Sequence, residues 1–381
     1  MSTDQELLAE IGTETATPLG LNFLDLVVRE RVFLTLLGIA FLTAGIVYPA
    51  PQVAMWVGFG FAAYSAVAND SIQTLGTFLS SNGHRPWWVL WLFAGGVFLV
   101  VETYGWIHYG GDVSYERLSA KGFATAPTHF AFLQVAAPLF LAIITRMRMP
   151  VSTTFLILTS FSTSTAGVNA VLTKSLSGYG VAFVAAIVLW TVLGPMMDRA
   201  FRGKAHPAWY VAQWFTTGTL WSVWLMQDAS NIAVYLPRSL STGEFIGFAG
   251  TMVAGLGLIF YLKGDRIQQV VSEKSSVIDV RHATVIDGVY AVLLYGFKAV
   301  STIPMSTTWV FLGLLAGREI GLNLFRPEDT RRKGKRIAKL IIRDVTFAGI
   351  GLAVSLLIAV SVNPALGHDL FGIVWPFGPA H

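Results

Sequence analysis

Two hydroxyl clusters behind prolines, Pro150-Val151-Ser152-Thr153-Thr154 and Pro304-Met305-Ser306-Thr307-Thr308, each follow an aspartate set in apolar sequence, Asp70 and Asp228, at nearly equal separation. Each aspartate has an amide beside it, Asn69 or Gln227, and another three residues later, Gln73 or Asn231. A proline at the first helical position presets the backbone, and the amides after it have no acceptor within the helix. Those N–H groups, with three adjacent hydroxyls, suit an oxyanion, because the helix dipole favours negative charge at that end. The plain alternative is that Ser and Thr of a membrane helix bond their own preceding carbonyls. Recurrence in matching order in both halves favours a site, with Ser152, Thr153, Thr154, Ser306, Thr307 and Thr308 as anion ligands.

Carboxylates in an anion site need a reason. A charged side chain at the bilayer centre costs about 2.5 to 3.5 kcal/mol, and an anion roughly 4 Å away adds about 4 kcal/mol of repulsion at an effective dielectric near 20. A Na⁺ ion, or a proton on Asp70 or Asp228, removes both penalties together, so anion and cation bind better jointly than singly. An aspartate acceptor also suits phosphate, which keeps a P–OH donor near neutral pH, over sulfate, which has none. The competing reading is that the two aspartates only cap broken helices. Around this core, Glu102, Gln227, Lys298 and Asp287 are candidates for the next layer. Lys298 is read either as a built-in cation near the anion or as the partner of Asp287 or another carboxylate. Arg318 and Glu319 are expected to pair, and Arg146 and Arg148 either attract anions or mark topology. The seven histidines show no metal spacing, so no metal beyond Na⁺ is expected.

The elements that must position these groups are membrane helices. Apolar residues make up 54% of the 381, charged residues 13%, and the mean hydropathy is +0.60, which excludes an ordinary soluble domain. There is no cysteine, hence no disulfide or thiolate metal site. The start carries acidic residues, Asp4, Glu6, Glu10 and Glu14, rather than a signal peptide. A net charge of +4 is better explained by topology than by nucleic acid. Spanning segments are expected at 32–49, 52–80, 87–105, 126–170 broken at Pro150, 179–197, 208–235, 243–262, 282–325 broken at Pro304, and 345–363.

With the basic 326–343 loop in the cytoplasm and both broken segments returning to their own side, most of the 26 Lys and Arg fall inside. Arg117, Lys121, Lys174 and Arg238 then face outward. The result is an all-α polytopic membrane protein with an inverted-topology repeat, two re-entrant helical hairpins and discontinuous helices. A cytoplasmic tail (1–31) and one extra helix (32–49) precede the repeats at 52–197 and 208–363, and a tail follows at 364–381. A rival topology makes 126–145 and 151–170 two full spans around a cytoplasmic loop at Arg146 and Arg148.

The chain resembles the inorganic phosphate transporter (PiT) family of sodium- or proton-coupled symporters. Ala68-Asn69-Asp70 with Gly76-Thr77 matches one family signature, and the two Pro-X-Ser-Thr-Thr segments match the other. Val101-Glu102-Thr103-Tyr104-Gly105 resembles the family's glutamate segment, and Leu262-Lys263-Gly264-Asp265-Arg266-Ile267 the stretch before its second hairpin. The chain departs at Phe155 and Trp309, where the family has histidine, and at Gln227, Gln73 and Gln134. The resemblance implies phosphate held by the hairpin tips with Asp70 and Asp228, and coupling cations at Asn69, Asp70, Gln73, Asp228 and Asn231. It implies a homodimer and a plasma (inner) membrane carrier, with no cofactor beyond Na⁺ or H⁺. Sulfate or another oxyanion is the alternative cargo, and an uncoupled channel or non-transporting receptor the alternative class. No hydrolase motif such as His-Glu-X-X-His occurs, so no enzyme is expected.

Overall fold

The computed structural model describes residues 30–119, 123–147, 149, 151–162, 164–201, 203–262, 279–300, 304–324, 334–363, 366 and 368. Among them every regular element is helical. Helix α1 (Arg31–Val47) falls, but for its last residue, in a compact unit ending at Ile46, and the chain from Val47 onward forms a second unit. The second unit contains α2 (Pro51–Ser81), α3 (Trp87–His108), α4 (Phe132–Arg146), α5 (Thr153–Leu156), α6 (Thr165–Ala200) and α7 (Ala208–Ala233). It continues with α8 (Thr242–Tyr261), α9 (Val280–Val300), α10 (Thr307–Leu324) and α11 (Gly334–Val362). Single 3-10 turns at Arg117–Ser119 and Leu158–Phe161 complete it. The tails at 1–29 and 369–381, and all of the basic 326–333 stretch, lie outside the described residues.

Five helices, Trp87–His108, Thr165–Met197, Thr242–Tyr261, Val280–Val300 and Ile341–Val362, are long and apolar enough to cross a membrane. Their faces are sorted for lipid rather than water. On α6, Val181, Val184, Val188 and Val192 point outward, while Asp70, Asp228, Asp287, Asn69 and Asn231 of the bundle are buried. Lipid tails are as apolar as these valines, so nothing drives the valines inward, whereas each polar group must find its partners inside the protein. The chain is an integral membrane protein.

The helices pair in a recurring pattern. Helix α2 packs on α4 as α7 packs on α9, α3 meets α7 as α8 meets α2, and α5 rests on α11 as α10 rests on α6. Several expected boundaries need correction. The segment after Pro150 is not a helical arm reaching residue 170: it is the one-turn α5 and a 3-10 turn, and α6 then runs unbroken from Thr165 through the polar 171–178 stretch. That stretch stays helical because its hydroxyls bond carbonyls one turn back, Ser175 to Val171 O at 2.7 Å and Ser177 to Thr173 O at 2.8 Å. Lys174 is therefore a helix residue, not a loop charge. Helix α11 likewise starts at Gly334, earlier than the apolar run alone suggests.

The α6–α10 contact depends on glycines one turn apart, Gly313, Gly317 and Gly321. A Cβ at Gly313 or Gly317 would fall inside van der Waals contact of the Tyr179 or Phe183 carbonyl, and one at Gly321 would lie 2.8 Å from the Ile187 carbonyl. Small residues let backbones approach where no hydrophobic force drives helices together. Gly317→Val should cost about 3 kcal/mol or more, since the obstacle is backbone and cannot rotate away. Thermal unfolding of the detergent-solubilised protein measures this, and an unshifted melting curve would refute the close approach.

Candidate functional site

Both Ser-Thr-Thr segments form serine-capped turns. The Ser152 hydroxyl accepts from the Phe155 N–H at 3.1 Å, and the Ser306 hydroxyl from the Trp309 N–H at 3.3 Å. Serine rather than proline therefore marks each helix start, because a side-chain acceptor satisfies a first-turn amide that proline could not. Pro304 lies ahead of the cap. Pro150 is outside the described residues.

The two turns meet. Thr154 Oγ1 donates to the Met305 carbonyl at 3.1 Å and Thr308 Oγ1 to the Val151 carbonyl at 3.2 Å, while the Phe155 and Trp309 rings meet edge to face at 5.9 Å. The expectation of three free hydroxyls per turn is thus corrected: the second threonine of each turn, Thr154 or Thr308, donates to the backbone of the other turn. Ser306 is steadied further, its N–H donating to Ser175 Oγ at 2.8 Å. The backbone N–H groups of Thr153, Thr154, Thr307 and Thr308 make no hydrogen bond among the described residues.

Under these turns lie the two carboxylates, Asp70 0% and Asp228 1% exposed, close enough for their charges to interact. Thr153 donates its hydroxyl to Asp70 Oδ2, and Asn69 Nδ2 donates to Asp70 Oδ1 at 2.6 Å and to the Val151 carbonyl at 2.8 Å. Gln73 Nε2 reaches Asp70 Oδ1 at 3.4 Å and Thr308 Oγ1 at 3.1 Å. On the other side Asn231 Nδ2 donates to Asp228 Oδ1 at 2.6 Å, and the hydroxyls of Thr307 and Thr154 face the same carboxylate. The predicted amides three residues after each aspartate thus fold back on their aspartate, as one helical turn allows. Asn69, expected as a cation ligand, is tied into the same network. Its amide brackets Asp70 and the first turn, with Thr145 donating to its oxygen at 3.2 Å.

Four buried oxygens here receive no hydrogen bond among the described residues: Gln73 Oε1, Gln227 Oε1, Asp228 Oδ2 and Asn231 Oδ1. Orphaned acceptors are costly in a membrane interior. Oxygen lone pairs of this kind suit a hard cation, and the free N–H groups suit an anion. Among the described residues no three His, Cys, Asp or Glu converge as a metal site requires.

The surrounding layer departs from expectation at Lys298. Asp287 is held by Thr77 Oγ1 at 2.6 Å and Thr217 Oγ1 at 2.5 Å, not by the lysine. Lys298 instead places Nζ 5.8 Å from the centre of the Tyr115 ring. Gln227 donates to the Leu294 carbonyl at 3.0 Å. Glu102 is fully buried in α3, and neither carboxyl oxygen has a hydrogen-bond partner among the described residues. Arg318 and Glu319 pair as expected, at 3.7 Å.

Arg117, counted from sequence as an outward loop charge, is 1% exposed. Its Nε donates to the Met226 carbonyl at 3.0 Å. Burial pulls its guanidinium down to about 10 and the Asp228 charge pushes back, so it stays protonated at neutral pH. Nothing in its spacing signals this. Tyr290, whose hydroxyl donates to the Thr307 carbonyl at 3.0 Å, was also missed, because a tyrosine in an apolar helix reads as an interface anchor. Comparison of the chain with protein-family models, with curated proteins and with solved structures returns no match.

Proposed function

We propose that this chain is a membrane carrier that moves inorganic phosphate together with Na⁺ or H⁺, by the exchange of access around one central site. The observation that carries this reading is the meeting of two serine-capped turns, tied by reciprocal Thr154–Met305 and Thr308–Val151 hydrogen bonds, directly over Asp70 and Asp228. Free amides face the anion's role and orphaned oxygens the cation's. Their adjacency is what joint binding requires, since neither charge is stable there alone. The recurring helix pairings support the two halves as an inverted repeat, with the turns as tips of two hairpins. In this reading Asp70, Asp228, Asn231 and Gln73 hold the coupling cation, and the turn amides, Ser152, Ser306 and Thr307 hold phosphate. The carrier sits in the plasma (inner) membrane with its N-terminus in the cytoplasm.

The deciding measurement is uptake of labelled phosphate into proteoliposomes, with sodium and proton gradients imposed separately. Accumulation above the outside concentration is expected under one gradient and should vanish when an ionophore collapses it. Excess sulfate should compete poorly, because it cannot donate to an aspartate. Equal flux with and without gradients would instead fit an uncoupled channel.

A further inference from the structure

The loop between α3 and α4 carries Arg117 into the bundle. Arg117 is 1% exposed, and its Nε donates at 3.0 Å to the carbonyl of Met226, two residues before Asp228 on α7. The 3-10 turn that holds it packs on α7. Its guanidinium and the Asp228 carboxylate act on each other as opposite charges, and Lys174 and Lys298 act on it as like charges. Asp228 Oδ2 nevertheless accepts no hydrogen bond among the described residues. Arg117 is thus placed to offset Asp228 while leaving one of its oxygens open to a ligand.

The loop is shaped to hold the guanidinium there. Tyr115 and Glu116 adopt left-handed φ of 54° and 61°, which is strained outside glycine. The Asp112 carboxylate accepts the Ser114 and Glu116 N–H groups at 2.6 and 2.9 Å, and Ser114 Oγ accepts the Leu118 N–H at 3.3 Å. The Tyr115 hydroxyl donates to the Val101 carbonyl, and its ring lies against Gly105, where a Cβ would meet it at 2.8 Å. Val113, Tyr115 and Leu118 are buried. Backbone strain persists where the contacts around it over-determine the conformation, and removing one partner of a buried ion pair leaves the other charge uncompensated. Asp70 and Asp228 repel one another, so a single guanidinium leaves the pair with negative charge to spare, which a mobile cation can take up. Once that cation sits on Asp228, Arg117 faces like charge on the cation as well as on the two lysines.

We propose that Arg117 is a tethered counter-ion of Asp228 that competes with the coupling cation: it docks the 112–119 loop on α7 when no cation is bound, and a cation on Asp228 releases it. This rests on the carrier reading of the site and deepens it, by naming how the occupancy of Asp228 reaches a loop outside the binding turns. A ligand shifts a conformational equilibrium only through a difference in its affinity for the two states. Competition with Arg117 supplies that difference, since the cation binds Asp228 better once the guanidinium has withdrawn. Arg117 is a positioning residue in this scheme and needs no contact with the cargo.

The chain has no cysteine, so Leu118→Cys, at a position 2% exposed, reports release of the loop by its rate of reaction with a water-soluble maleimide. The full-length protein is labelled in nanodiscs in choline chloride at neutral pH, then with sodium chloride, then at lower pH. Ser119→Cys, at an exposed position beside it, normalises for reagent and thiol reactivity. The ion that drives uptake should raise the normalised rate at least about tenfold. With Arg117→Gln added, labelling should be fast in choline chloride and indifferent to that ion, whereas Arg117→Lys should keep both the slow rate and the response. Thermal unfolding in choline chloride is the second measurement. Arg117→Gln should lower the melting temperature, and adding Asp228→Asn should recover most of the loss, because the uncompensated carboxylate is gone. A guanidinium needed only for its bond to the Met226 carbonyl would show no such rescue. Labelling that ignores the ion driving uptake, an ion response that Arg117→Gln retains, or a loss of stability that Asp228→Asn leaves in place overturns the counter-ion. The carrier reading fails separately, by wild-type protein that takes up no phosphate under either gradient, while the Asp228→Asn rescue decides the charge pair on its own.

Discussion

Asp228→Asn should abolish gradient-driven phosphate uptake while leaving the protein folded and at least as heat-stable as wild type. Asparagine keeps an oxygen to accept from Asn231 Nδ2, so the 2.6 Å bond within α7 survives. It removes a charge buried beside a second carboxylate, and a membrane charge costs about 2.5 to 3.5 kcal/mol in insertion. The same change deletes the anionic ligand to which a coupling cation binds, so the ion gradient loses its hold on the cargo. Stability and transport should therefore move in opposite directions, which a merely structural aspartate would not produce. A thermal-shift titration adds a second check. A cation bound at 100 times its dissociation constant stabilises the folded state by about 2.7 kcal/mol, and the variant should lose whichever of the Na⁺ or pH responses the wild type shows. Wild-type uptake by Asp228→Asn protein would remove Asp228 from the coupling role.

Recurrence was the legible part of this molecule. Two motifs in the same order brought Asp70, Thr153, Asp228 and Thr307 to one place, and the structure joins them through side-chain contacts across the bundle. Membrane class was equally plain, since apolar content alone decides it. What could not be read is which partner each polar group takes, because partners come from other helices. Thr154 and Thr308 looked like anion ligands, yet each found a carbonyl on the opposite turn. Asp287 looked free to pair with Lys298 along its own helix, but Thr77 and Thr217 from two other helices satisfy both its oxygens. The polar 171–178 stretch read as a loop because hydropathy does not see hydroxyls bonding back to their own helix. Arg117 shows the limit most clearly: a loop charge was folded inward by two left-handed residues that no period or composition marks.

Thr307→Val should raise the KM for phosphate about tenfold to a hundredfold, or eliminate measurable uptake, with little change in melting temperature, whereas Thr307→Ser should restore transport. Valine matches threonine in volume and shape, so the close packing of the turn is kept. The structural bond at this position uses the backbone: Tyr290 donates to the Thr307 carbonyl at 3.0 Å and is indifferent to the side chain. Only the hydroxyl facing Asp228 is lost. A hydrogen bond to a charged group contributes about 1.5 to 3 kcal/mol, which sets the expected change in affinity. Thr308→Val is the informative contrast. Its hydroxyl donates to the Val151 carbonyl and accepts from Gln73, so removing it cuts a tie between the turns and leaves the Val151 carbonyl with Asn69 Nδ2 as its remaining donor. That variant should lose heat stability as well as transport. If instead Thr307→Val and Thr308→Val lower stability equally and leave the KM of the surviving protein unchanged, the turns hold the bundle together and the anion binds elsewhere.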